Sequence, residues 1–89
     1  MVYLITYDLI KDGQHYEGLH LAIKNLGSWW HYLDSTWIVQ TNYNSEQIER
    51  ILTAKIDLND RLLIVRLLKD YTGYLPREAW DWLNNANFN

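Results

Sequence analysis

The chain contains no cysteine. That excludes a disulfide framework, a thiolate metal cage and a cysteine nucleophile. Proline occurs once and glycine four times, so there is no flexible linker, and these few residues act as punctuation. Positive charge is scarce: eight Lys and Arg stand against eleven Asp and Glu, for a formal charge of −3. A broad cationic surface for phosphate contacts is therefore not expected, although a local patch can still form on an acidic chain. No apolar run approaches the roughly 20 residues that span a bilayer. The opening MVYLITYDL has neither the basic n-region nor the small-residue cleavage site of a signal peptide. The expectation is a soluble, cytoplasmic protein with no membrane partner.

What the chain has in excess is aromatic side chains. Five Trp, seven Tyr and one Phe fall among 89 residues, 15% of the total. An interior this small does not hold them all, so some rings belong to an interface or a groove. The length fits one domain.

Residues 2–9 form a short β-branched and aromatic run, read as a first strand. Lys11-Asp12-Gly13 reads as a turn. Over 14–26 the apolar positions Tyr16, Leu19, Ile23 and Leu26 recur at helical spacing, and Gly27 follows where a C-terminal glycine cap belongs. Residues 28–33 and 36–41 read as two strands joined by Asp34-Ser35. A second helix starts at Asn44-Ser45-Glu46-Gln47 and buries Ile48, Ile51 and Leu52. After the loop 57–60, residues 61–68 make a fourth strand. The order β-α-β-β-α-β is the split βαβ, ferredoxin-like α+β arrangement: four antiparallel strands with two helices on one face. We divide the chain into this domain, 1–70, and a C-terminal extension, 71–89. In the extension Pro76 suits the first position of a short helix over 77–84 carrying Trp80, Trp82 and Leu83, and 84–89 is expected to fray.

Both faces of the sheet read apolar. Tyr3, Ile5 and Tyr7 oppose Val2 and Leu4, while Leu63, Val65 and Leu67 oppose Leu62, Ile64 and Leu68. Strands apolar on both faces are covered on both faces. Either the C-terminal extension folds over the open face or a second copy packs there; the extension is short to cover the sheet alone, so the working expectation is a homodimer through the sheet.

The motifs YLITYDL, AIKNLGSWW, Ser35-Thr36-Trp37 and SEQIERILTAKIDLNDRLLIVRLL, in that order and spacing over about residues 2–70, resemble the small CRISPR-associated adaptation nuclease family. Those ferredoxin-like dimers share a superfamily with the virulence-associated D interferases. The resemblance implies a metal-dependent RNA or DNA endonuclease. Its catalytic and metal-holding residue would be Asp8, the strand-one aspartate, with the two copies of a dimer holding one Mg²⁺ between them. Where the family carries Arg or Gln, this chain has His31-Tyr32-Leu33-Asp34. That difference favours a second reading, a non-catalytic dimeric binding or adaptor protein whose aromatic surface takes a protein, nucleotide or small-molecule partner.

The residues themselves offer Asp8 as a ligand or as a turn carboxylate, with Asp12 a weaker second ligand. Asp57 and Asp60 lack the spacing of a calcium loop and read as turn and strand-entry residues. His31 is a candidate general base or a half-exposed strand residue. His15 and His20 lack the i, i+4 spacing of paired ligands, and His20 reads as lying on the polar side of its helix. Tyr7, Trp29, Trp30, His31, Tyr32 and Trp37 form the candidate ligand or interface surface, suited to stacking on bases or other flat partners.

Overall fold

The computed structural model describes residues 1–10 and 16–89; the turn expected at 11–13, with Asp12, and also Gln14 and His15 lie outside these. Seven elements follow in order: β1 (Val2–Asp8), α1 (Glu17–Lys24), β2 (Ser28–Leu33), β3 (Thr36–Gln40), α2 (Ser45–Thr53), β4 (Arg61–Arg66) and α3 (Arg77–Asn85). The strands form one sheet in the order β2-β3-β1-β4, antiparallel at every junction. This is the ferredoxin-like α+β fold that the alternation of strand and helix patterns predicts. No helix among the described residues is long and apolar enough to cross a membrane.

Period-two alternation sorts the side chains of each strand to the two faces. Tyr3 and Ile5 of β1 and Trp37 and Val39 of β3 meet Leu19, Ala22 and Ile23 of α1 and Ile48 and Leu52 of α2. Leu26, just beyond α1, completes this main core. α2 begins with the expected cap in full reciprocal form. The Asn44 side chain accepts from the Gln47 backbone N–H, and the Gln47 side chain accepts from the Asn44 N–H, each at 2.9 Å.

On the second face the first of the two alternatives holds in part. α3 lies over part of it, burying Val2, Trp30 and Ile38 against its own Ala79 and Leu83. Trp30 is 1% exposed and donates its indole N–H to the Ala79 carbonyl at 3.2 Å. Trp82 donates to the Ser28 hydroxyl at 3.0 Å. The extension is thus long enough to cover much of its own sheet, because Ala79 is small enough to let the helix approach closely. Nor does its end fray: the Asn87 N–H donates to the Gln40 side chain at 2.8 Å, and Phe88 stacks near Tyr71. Pro76 caps the helix rather than occupying its first turn, its carbonyl accepting from Ala79 N–H.

Gly27 also has a different role. α1 ends at Lys24 with Asn25 as its cap, so the glycine lies in the link to β2. A Cβ there would stand 2.1 Å from the Gln40 carbonyl oxygen. What the position requires is close backbone approach to β3, not a helix stop.

Candidate functional site

The sheet places the sequence-selected residues on different surfaces. Asp8 ends β1 on the α3 side, exposed, in register with Arg61 of β4. The two line a shallow hollow with Thr6, Tyr7, Leu62 and Leu63, about 280 Å³ in volume. The Arg61 guanidinium turns back to donate to the Asn59 and Asp60 carbonyls at 3.2 Å. Among the described residues no second carboxylate lines the hollow, and no three His, Asp or Glu side chains group as metal ligands. One protomer thus supplies a single carboxylate, Asp8, and the Mg²⁺ site that the resemblance implies would need Asp8 of a second copy beside it.

The α3 side of the sheet is only partly covered. Beyond the α3 contact, Leu63 is 58% exposed and Val65 42%, with Leu4 half-buried beside them and Leu33 exposed across the sheet. The middle of this bare region is polar but internally satisfied. The Thr6 hydroxyl donates to the Ser35 carbonyl at 3.2 Å and lies 3.2 Å from the Thr36 hydroxyl, whose proton it accepts. The result is an apolar patch with a charged rim at Asp8 and Arg61.

The aromatic residues do not form one surface. Alternation sends Trp29, His31 and Trp37 to the helix side and Trp30 and Tyr32 to the α3 side. Trp37 is 2% exposed, so neither it nor Trp30 is available for stacking on a ligand. Instead the His31 ring covers Trp37, with centroids 3.7 Å apart and planes at 15°. The Trp37 indole donates to the Tyr7 hydroxyl at 3.0 Å, and that hydroxyl stands 3.2 Å from His20 Nε2. The Tyr7 oxygen thus joins the indole of Trp37 and the imidazole of His20 in one hydrogen-bonded chain. Burial pushes the Tyr7 phenol above its usual range, with Asp34 adding to the rise and the Trp37 hydrogen bond opposing it. Lys24 Nζ sits over the Trp29 ring at 4.9 Å. These contacts make Tyr7, His20 and Trp37 a hydrogen-bonded network, with the rings of His31 and Trp29 packed against it from its exposed side.

His20 is thus half-buried and hydrogen-bonded, not on a polar helix side. The sequence carried the signal: Tyr16, His20 and Ile23 follow the i, i+4, i+7 row of the buried face. His31 lies on the opposite face of the sheet from Asp8, so the two do not act on one substrate atom. Asp60 is more than a strand-entry residue. Buried, it accepts from the Ile10 N–H at 3.0 Å, the Tyr16 hydroxyl at 3.2 Å and the Asp57 N–H at 2.8 Å, tying the β1–α1 connection to the α2–β4 connection.

His31 gives a pH prediction. Desolvation, then His20 and Lys24, lower its pKa against an opposing pull from Asp34. A histidine whose folded pKa lies below its unfolded value disfavours the fold when it must charge. Stability is full above about 6.5 and falls as pH drops from there towards the folded pKa. The urea midpoint is expected to fall between pH 7.5 and 5.5, and to fall less in His31→Gln. Equal slopes in the two proteins would remove His31 as the cause.

No protein-family model matches the chain.

Proposed function

We propose that this protein is a cytoplasmic, homodimeric, non-catalytic binding protein whose two copies meet on the bare part of the α3-side sheet. One observation carries this reading. α3 covers Val2, Trp30 and Ile38 but leaves Leu63 and Val65 exposed beside half-buried Leu4. Contiguous apolar surface on an otherwise charged chain marks an interaction site. A two-fold axis is the arrangement that the rim supports, because a patch flanked by both Asp8 and Arg61 complements a copy of itself. Leu63→Glu with Val65→Glu adds charge at exposed positions, so the fold is expected to survive while the dimer dissociates. A monomer–dimer constant unchanged by the double variant, measured by sedimentation, would rule out this face. The absence of cysteine agrees with a reducing compartment.

The nuclease reading rests on Asp8, which is exposed at the rim of the same patch. Its support is the resemblance of the YLITYDL strand and the proximity of Asp8 to the proposed two-fold. Against it stand the scarcity of Lys and Arg for phosphate contacts and the burial of Trp30 and Trp37. On the binding-protein reading, neither wild type nor Asp8→Asn cuts labelled RNA or DNA in Mg²⁺. Metal-dependent cutting lost in Asp8→Asn would establish the nuclease instead.

A further inference from the structure

β2 is an edge strand, paired only with β3. Its outward backbone groups are a ready template for another extended chain. Along it runs a hollow of about 380 Å³, walled by Ser28 and Tyr32 of β2 and by Glu78, Asp81, Trp82 and Asn85 of α3. The walls are set in place by contacts of their own. The Trp82 indole is fixed by its bond to the Ser28 hydroxyl, and Tyr32 lies edge-on to buried Trp30 with centroids 5.2 Å apart.

The chemistry of the hollow is one-sided. Two aromatic rings and two carboxylates line it, and among the described residues no Lys or Arg does. Glu78 and Asp81 project three residues apart from one helix face and make no ion pair among the described residues. Lys24 is engaged over Trp29 on the other face of the sheet.

We infer that this edge takes an extended basic peptide, which adds to β2 while its Arg or Lys side chains enter the hollow. Alternate residues of an added strand point to the same side. One basic side chain in two would therefore reach the groove, stacking on Tyr32 and Trp82 and pairing with Glu78 and Asp81. Pairing of β2 with β3 is regular over Ser28, Trp29 and Trp30 and shifts register between Trp30 and Leu33, so the regular stretch of the edge begins at Ser28, one wall of the hollow. Charge complementarity selects the basic strand over a second copy of this chain, whose own β2 brings no cation to the hollow. The inference rests on the reading of the chain as a binding protein but not on its dimerisation.

The test is titration of the ¹⁵N-labelled full chain with the blocked hexapeptide Thr-Arg-Thr-Arg-Thr-Arg, against a control with Glu in place of Arg. Shifts confined to residues 28–33 and 78–86 are expected, with binding at least tenfold weaker in Glu78→Lys/Asp81→Lys. Both positions are exposed, so the variant should fold, and an unchanged far-UV spectrum checks that. Saturation by the Glu peptide, shifts centred elsewhere, or affinity unmoved by the double reversal would overturn the inference. So would concentration-dependent shifts at β2 without peptide, which would assign the edge to a second copy. The same titration on Leu63→Glu/Val65→Glu separates the two claims. A monomer that binds the peptide refutes only the need for a dimer, and a dimer that ignores the peptide refutes only this inference.

Discussion

Replacing Gly27 by alanine is expected to cost about 4 kcal/mol or more, enough to leave much of a small domain unfolded. The added Cβ would stand 2.1 Å from the Gln40 oxygen and 3.2 Å from its carbonyl carbon. Both are backbone atoms of β3, and Gln40 is in register with Ser28 of β2. No rotamer change relieves the clash, so the link between α1 and β2 must move and the β2–β3 register with it. For a domain of this size the melting temperature should fall by roughly 20 °C. Gly18→Ala is the internal control. Its Cβ would meet only the Lys55 Cδ, at an ordinary 3.7 Å, within α1, and the helical preference of alanine should raise stability by about 0.5 kcal/mol. Opposite signs at two glycines 9 positions apart in the sequence would confirm that approach distance governs, while a mild Gly27→Ala would contradict the packing described.

Trp30→Ala should cost about 3–5 kcal/mol, the usual range for emptying a buried tryptophan site. Trp30 carries the contact between the sheet and α3, through its ring against Ala79 and Leu83 and its N–H to the Ala79 carbonyl. The loss should be uneven. Hydrogen exchange should show α3 and residues 86–88 opening first, because these depend on Trp30, while the core between sheet and α1–α2 stays protected. Trp30→Phe keeps most of the ring but leaves the Ala79 carbonyl without its donor, and should cost about 1–2 kcal/mol. Uniform loss of protection across the sheet would mean that α3 is not a separable cover.

Much of this was legible because it depends on neighbours in sequence. The strand runs alternate in type, Asn44 and Gln47 are correctly spaced for their reciprocal cap, and the second apolar face announced that something covers it. Alternation also implied that Trp29 and Trp30 point to opposite faces, so a single aromatic surface was never compatible with one strand. What sequence could not supply were contacts over long separations. Sequence alone leaves the cover open between the extension and a second copy, because nothing local reveals that Ala79 meets Trp30 across 49 positions. Gly27 looked like a helix cap because its approach to Gln40 is set by the sheet, not by its neighbours. Asp60 looked like a turn residue because two of its donors, Ile10 and Tyr16, lie far back in the chain. The candidate site divides in the same way. Asp8 was placed correctly at a strand end, but its register partner Arg61 and the bare patch beside it exist only once β1 and β4 are paired.

The account stands or falls on whether the region around Leu63 and Val65 is an interface, and sedimentation equilibrium of the wild-type chain over a concentration series tests this most directly. The protomer mass is 10.7 kDa. The account predicts a species of twice that mass that dissociates on dilution and is absent in Leu63→Glu/Val65→Glu. A wild-type chain that stays at the protomer mass at the highest concentrations would contradict it.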